Sequence, residues 1–472
     1  MKYKLIMLIL PVFCSQISAQ ITFEKVIDTL GSTTATCIRE TLDGGYVFCG
    51  NSNFNGNDLQ VIKLDSMANI QWAKVYTGPA IEFATEIEQL ADSTYIVNGT
   101  YNAGNNCKSW LIALNTSGDS LWSQLFSAGP GSTNVDYNNS MAVINNSLVG
   151  LTGFYSSVPL THTKGYFFSI IGNGIQLSSR IYDFSLFGTE PRAIATTSNS
   201  EYLITGGVGT SPSSTDMFLM RTTTFGDTLW YKTFNFSYQE SGIDVIETSD
   251  NGILISGFII NPATSNSNIC LIKTDAIGDT QWTKVFDHNN EQLVYSIQET
   301  QNGDFILTGK ITGGIPVDGN VFLMKINSSG DSLWTKQFGG TSDDMGYSVQ
   351  ALSDGGYILS GYSGSFGTVG AYIIKTDSSG NIYTGHSELT QQNSQFSVFP
   401  NPAKNNLFIK SSSVLEENFL FEIFDFQRNL IYKNIFYGEF NSINIEDLSS
   451  AVYYCKLNYK SSVSFLKLVI ID

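Results

Sequence analysis

Charged side chains are scarce in this chain, 14% of 472 residues, and histidine is nearly absent, with three in all. His162, His288 and His386 stand far apart, in no spacing typical of metal ligands. No Gly-x-Ser-x-Gly, His-Glu-x-x-His or phosphate-loop pattern occurs, so the common nucleophile, zinc and nucleotide motifs are missing. No catalytic residue, cofactor or metal site is assigned, and the sequence points away from an enzyme. Cysteine is too sparse and irregular for a disulfide scaffold. Five cysteines follow the first twenty residues: Cys37, Cys49, Cys107, Cys270 and Cys455. Cys37 and Cys49 fall on the two arms of one predicted hairpin and could pair. The alternative is five small buried apolar side chains.

Long apolar runs are also missing. The longest, Leu5 to Phe13, has nine residues, against roughly 20 for a membrane-spanning helix. With Lys2 and Lys4 before it and Ile17-Ser18-Ala19 after it, residues 1–19 read as a secretory signal, cleaved to leave Gln20 first. Loss of those two lysines and no acid would move the net charge from −17 to −19. So acidic a surface repels phosphate backbones and anionic membranes, which argues against nucleic acid as a partner.

What the chain does have is enough apolar and aromatic residues for a large core, 42% and 13%, and a repeat. One copy reads Tyr295-Ser-Ile-Gln-Glu-Thr, Gly303-Asp-Phe-Ile-Leu-Thr-Gly309, Val321-Phe-Leu-Met-Lys-Ile and Gly330-Asp-Ser-Leu-Trp-Thr-Lys-Gln-Phe338. These four apolar segments are termed A to D. The tryptophan of D recurs at Trp72, Trp122, Trp230, Trp282 and Trp334, with a degenerate copy at Ser179-Arg180-Ile181-Tyr182. The glycine ending B recurs seven times: Gly50, Gly99, Gly153, Gly206, Gly257, Gly309 and Gly361. Turns such as Asp43-Gly44-Gly45, Asp250-Asn251-Gly252 and Asp354-Gly355-Gly356 join A to B and supply the positive φ that tight hairpins need. Glycine turns near 118, 278, 330 and 380 join C to D. Seven copies of a four-stranded antiparallel sheet at a period near 50 predict an all-β, seven-bladed β-propeller over residues 20–385. The first segment, Phe23-Glu-Lys-Val-Ile27, matches D, and the last copy has only a weak D at 381–384. Residues 21–27 are therefore expected to complete the seventh blade.

Lysine recurs two places after the tryptophan position, at Lys25, Lys74, Lys232, Lys284 and Lys336. On an outer strand it is read as protection against edge-to-edge pairing. The longer, varied B–C and D–A loops (101–109, 155–164, 207–215, 259–267 and 310–319) mark the expected binding face. They and their surroundings carry Phe54, Tyr101, Tyr155 and Phe366, suited to a glycan or protein ligand. The turn motif Asp43-Gly-Gly-Tyr46, the strand Leu271-Ile-Lys-Thr-Asp275 and the Trp-Thr-Lys-x-Phe strand resemble bacterial propeller repeats of secreted and surface proteins. Sialidases are propellers too, but their Asp-box spacing is absent, and Arg39, Arg180, Arg192 and Arg221 fall on scattered repeats. Asp followed by Ser or Thr recurs, notably at Ser66, Ser120, Thr228 and Ser332. It resembles an O-glycosylation signal, though turn chemistry explains the pattern nearly as well. Asp343-Asp344 is a weaker calcium candidate.

After a polar linker at 386–395 the repeat stops. Phe396-Ser-Val-Phe-Pro-Asn-Pro-Ala-Lys-Asn-Asn-Leu-Phe-Ile-Lys410, then Phe421-Glu-Ile-Phe-Asp-Phe, Val452-Tyr-Tyr-Cys-Lys-Leu and Phe465-Leu-Lys-Leu-Val-Ile, resemble the type A sorting domain of type IX secretion in the Bacteroidota. Ala451, where glycine is usual, and the acidic end Ile471-Asp472 depart from the pattern. The resemblance implies a small Ig-like β-sandwich over 396–472 with a sorting motif at Phe399, Pro400, Asn401 and Pro402. It also implies recognition by the outer-membrane translocon and removal by a sortase-like peptidase, with the body released or held on the cell surface. The propeller itself is expected to be a binding or adhesion module, the alternatives being a glycoside hydrolase acting on polysaccharide and a structural surface component.

Overall fold

The computed structural model describes residues 21–470 apart from 54–57, 79–80, 104–106, 128–134, 157–162, 212, 237–238, 261–265, 287–290, 313–318, 368, 383–395, 400–402, 412–414, 416, 425–429, 450 and 461. Contacts divide the chain into two units, 1–382 and 383–472. The first is a seven-bladed β-propeller. Six blades are four-stranded sheets in simple A-B-C-D order. In blade 1, for example, A is Ser32–Glu40, B Tyr46–Ser52, C Asp58–Leu64 and D Ile70–Tyr76. The seventh sheet takes its outer strand from the start of the chain. Phe23–Ile27 pairs antiparallel with Gly370–Thr376, from Phe23 opposite Lys375 to Ile27 opposite Ala371.

The core lies between blades. Strand C is buried along its whole length in blades 1, 5 and 7, because each sheet presents apolar side chains to both neighbours. Among the described residues the propeller's buried apolar side chains form seven clusters, each shared by adjacent blades. Cys37, Val47 and Val61 of blade 1 meet Ile87, Val97 and Ile112 of blade 2. Phe23, Ile358 and Ile373 of blade 7 meet Ile38, Phe48 and Ile62 of blade 1 in the same way.

The tryptophan and lysine of strand D fasten each blade to the C–D turn of the next. Trp72 Nε1 donates to Thr116 O at 3.0 Å, Trp122 to Gly172 O at 3.0 Å and Trp282 to Ser328 O at 3.2 Å. Each indole lies over a turn glycine. At Gly330, with φ +81°, a Cβ would stand 2.9 Å from Trp282, so both the turn and the close approach call for glycine. Beside the indole, Lys74 reaches Asp119 at 3.1 Å, Lys232 reaches Asp279 at 2.5 Å and Lys284 reaches Asp331 at 2.8 Å. Lys336 bonds Asn381, and Lys25 bonds the carbonyls of Met67 and Ala68. In degenerate blade 3 the same places are kept by Ser178, bonded to Phe225 O at 2.9 Å, and Arg180, paired with Asp227 at 2.7 Å. These cations therefore join neighbouring blades, beyond the edge-guarding role expected of lysine on an outer strand.

Within blades 1, 5, 6 and 7 a strand-C lysine runs under the A–B turn to its aspartate: Lys63–Asp43, Lys273–Asp250, Lys325–Asp304 and Lys375–Asp354. The Lys63 side chain is only 4% exposed, and its ammonium also meets Leu64 O and Gln71. The buried charge is thus paired and hydrogen-bonded. Gly45 and Gly252 make room for it: a Cβ would stand 2.6 and 2.0 Å from the lysine nitrogen.

The C-terminal unit is a β-sandwich. A three-stranded sheet (Phe396–Phe399, Asn406–Ser411, Phe440–Asn444) and a four-stranded sheet (Leu430–Phe436, Phe419–Phe424, Ala451–Tyr459, Ser462–Ile470) enclose Phe396, Leu407, Ile409, Phe421, Ile423 and Cys455.

Trp282→Ala should lower propeller stability by about 2–3 kcal/mol, below the cost of a fully buried aromatic, and Lys284→Ala by less than about 1 kcal/mol. Thermal unfolding of the two variants measures both. Equal losses would shift the weight of the latch from the indole to the charge.

Candidate functional site: the axial channel

The seven A strands surround the axis, and each carries an extra residue at a β-bulge in the same place, with a second in blade 1 between Ser32 and Thr34. The register slips between Ala35 and Cys37, Ala84 and Glu86, Tyr137 and Ser140, Pro191 and Ala193, Gly242 and Asp244, Val294 and Ser296, and Gly346 and Ser348. A bulge re-aims the side chains around it. Here it turns them into a cavity of about 730 Å³ whose walls include Glu86, Asp244, Arg39, Arg192, Tyr295 and Tyr347.

At most of these positions the residue after the bulge joins its blade to the next. Glu86 accepts the Met141 N–H at 2.6 Å and the Ser140 hydroxyl at 2.9 Å. Ser140 accepts Ile194 N–H at 3.3 Å, Asp244 accepts Ile297 N–H at 2.9 Å and Ser296 accepts Val349 N–H at 3.4 Å. Ala193 has no side-chain acceptor, and Asp244 takes the neighbouring Val245 N–H itself at 2.8 Å. Cys37 donates toward Ile87 O at 3.7 Å, and Arg39 reaches Ser348.

Two of these seven positions are carboxyls, and their partial withdrawal from water disfavours charge. Burial pushes Glu86 up to about 7, against hydrogen bonds from Met141 and Ser140 and the pull of Arg39. Burial likewise pushes Asp244 up to about 6, against hydrogen bonds from Ile297 and Val245. Bulge residues Tyr295 and Tyr347 stand nearer the B–C/D–A face, edge to face with centroids 5.4 Å apart. Toward the other face Arg39 pairs with Glu88 at 2.9 Å. Arg39, Glu88 and Gln298 border both this cavity and a smaller one of about 330 Å³.

Other sites anticipated from the sequence lie elsewhere. Cys37 and Cys49 are register partners, but both are free thiols, so the possible disulfide is not formed. Cys49 Sγ lies 3.6 Å from Thr36 Oγ1, and burial pushes the Cys37 thiol up to about 11. Ser66, Ser120, Thr228 and Ser332 are all exposed at C–D turns, where Asp119, Asp227 and Asp331 already serve the blade latch. Asp343 pairs with Lys310 at 2.7 Å, while Asp344 accepts bonds from Ser363, Ser365 and Gly340. Arg39 and Arg192 both line the channel, paired with Glu88 and Glu190, whereas Arg180 and Arg221 serve structural pairs elsewhere. Tyr155 is buried in the core between blades 2 and 3, and Phe366 is half exposed beside Tyr372. Phe399 is 40% exposed and packs with Phe408 and Phe440. Pro400, Asn401, Pro402, Phe54 and the three histidines fall outside the described residues.

Residues 397–471 match the family model described as the secretion system C-terminal sorting domain; the chain therefore carries a type IX sorting domain. No curated protein sequence matches the chain. Among solved structures it resembles puromycin hydrolase at 10% identity, covering 83% of this chain and 61% of that one, TM-score 0.49. It also resembles the Pyrococcus horikoshii acylaminoacyl peptidase at 12% identity, covering 82% and 57%, TM-score 0.43. A third is the α-L-arabinofuranosidase Arb93A of Fusarium graminearum, with an iminosugar inhibitor, at 10% identity, covering 64% and 95%, TM-score 0.43. This chain thus spans about six tenths of the length of the first two. The likeness is one of fold. It corrects the expectation that the chain is not an enzyme: the solved structures it resembles include three named for enzymes, and absent motifs do not exclude catalysis on such a scaffold.

Because Glu86 ionises later in the folded chain than in the unfolded one, folding binds a proton between about pH 4.5 and 7. Stability from this group is present at low pH and falls as pH rises through that window. Glu86→Gln should match the parent near pH 4 and exceed it by about 2 kcal/mol at pH 8. Thermal unfolding across pH measures the difference; a gap independent of pH would contradict the raised carboxyl.

Proposed function

We propose that the protein is a secreted propeller that takes the end of a neutral glycan into its axial channel. The sorting domain sends the chain by type IX secretion to the cell surface or beyond. The propeller is its working part. The observation that carries the reading is the Tyr295–Tyr347 pair beside a cavity of about 730 Å³, a volume typical of small-ligand sites. Aromatic faces pack against the C–H faces of sugars, and the Ser140, Ser296, Glu86 and Asp244 oxygens below suit hydroxyl groups. A net charge of −17 disfavours polyanionic ligands. The Arg39–Glu88 layer toward the far face favours a chain end over a threaded strand.

On a glycan array, Tyr295→Ala and Tyr347→Ala should each weaken binding of the neutral oligosaccharide the parent retains by about tenfold, roughly 1.4 kcal/mol. Tyr→Phe at either place should keep it. Binding untouched by both alanine variants would put the ligand elsewhere.

Export is expected to begin with removal of residues 1–19 and to end with cleavage near residue 390 by a sortase-like peptidase. Fractionation with intact-mass analysis should find the full chain outside, beginning at Gln20. A chain lacking 396–472 should stay in the periplasm. Equal fates for both would contradict this route.

A further inference from the structure

Where the interblade belt uses a side-chain acceptor, one oxygen suffices, and a hydroxyl supplies it at Ser140 and Ser296. Carboxyls at Glu86 and Asp244 exceed that need and cost more to withdraw from water. They stand on blades 2 and 5, three blades apart in a ring of seven and nearly opposite, and both line the cavity beside the tyrosine pair. Each has lone pairs left after its belt bonds.

Resting on the glycan reading above, we propose that Glu86 and Asp244 hydrolyse the glycosidic bond of the sugar held between them. Glu86 gives its proton to the oxygen of the leaving sugar as the bond from that oxygen to the anomeric carbon breaks. Asp244 takes a proton from a water on the opposite side, whose oxygen forms the new bond to the anomeric carbon. One water is consumed, and the proton passes back from Asp244 to Glu86 through solvent. Both carboxyls line a cavity of about 730 Å³ from blades on nearly opposite sides of the ring, and water-attacking glycosidases place their two carboxyls on opposite sides of the sugar.

The raised carboxyls suit these roles. An acid near 7 still holds its proton where a base near 6 has lost its own, the separation that paired catalytic carboxyls require. The charged or titratable groups that line the cavity with the pair are Arg39 and Cys37 of blade 1, Glu88 of blade 2, Arg192 of blade 4, Glu247 of blade 5, Tyr295 of blade 6 and Tyr347 of blade 7, and the Asp244 charge itself helps to raise Glu86.

The test uses the full mature chain and a panel of end-labelled neutral gluco-, xylo-, manno- and arabino-oligosaccharides, with release of new reducing ends as the readout. Turnover should follow a bell between about pH 6 and 7. Glu86→Gln and Asp244→Asn should each lower it by about 10²–10⁴-fold, with binding of the same oligosaccharide retained. Glu86→Ser and Asp244→Ser keep the belt acceptor and should fold normally yet be equally inactive; Lys284→Ala, in the outer latch away from the cavity, should keep turnover. Oligosaccharide bound by the parent without any new reducing ends overturns hydrolysis and leaves the binding reading standing. No binding to any member overturns the binding reading and the hydrolysis with it. Turnover in both Glu86→Gln and Asp244→Asn at the parent's rate overturns the assignment of these residues.

Discussion

Burial between blades is the interaction on which the propeller depends. A four-stranded sheet cannot bury both faces alone. Here each apolar face meets the next sheet, so Ile38 and Phe48 of blade 1 share a core with Ile358 and Ile373 of blade 7. Apolar burial of this kind is large but non-directional. The directional elements sit above it: the tryptophan over its turn glycine, the cation on the turn aspartate and the belt of acceptors around the axis. All three join blade to blade. A repeat whose sequence looks weak, such as blade 3 with Ser178 and Arg180, is still held because its neighbours supply the matching halves.

Architecture was legible because the repeat concentrates in a few residue types. Glycines that only a turn can explain, and an indole at the same place in five of the seven periods, announce four strands seven times over. The C-terminal motifs were equally plain. The lysines were read correctly as strand-D residues, but their role was incomplete, since a sequence places Lys284 on a strand without saying that Asp331 lies opposite on the next blade. Cys37 and Cys49 face each other in register, as a hairpin predicts, yet remain separate thiols.

The channel was not legible at all. Glu86 and Asp244 sit in segments that read as ordinary half-buried strands, and alternation alone does not reveal which face they take beyond a bulge. One extra residue reverses the direction of those that follow, and its position shows only when the partner strand is known. Arg39 and Arg192 seemed scattered because a ring brings together residues about 50 apart in steps that a linear spacing motif does not capture. A signal existed in retrospect: a polar residue recurs at the same place in segment A, as serine in some copies and carboxylate in two.

The strand that closes the ring has a consequence for the order of events. Phe23–Ile27 is made near the beginning of the chain, but its partner Gly370–Thr376 comes roughly 350 residues later. Every other blade can form from neighbouring residues as it emerges; this one waits for nearly the whole propeller. Pairing so distant in sequence is slow to establish, and until then the first strand is an open edge. Lys25 stands in the middle of that strand. While the chain is incomplete it is a charge on an unpaired edge, unfavourable to a stray partner; once the ring shuts, the same ammonium fastens blade 7 to blade 1. One side chain thus guards the opening first and holds the join afterwards.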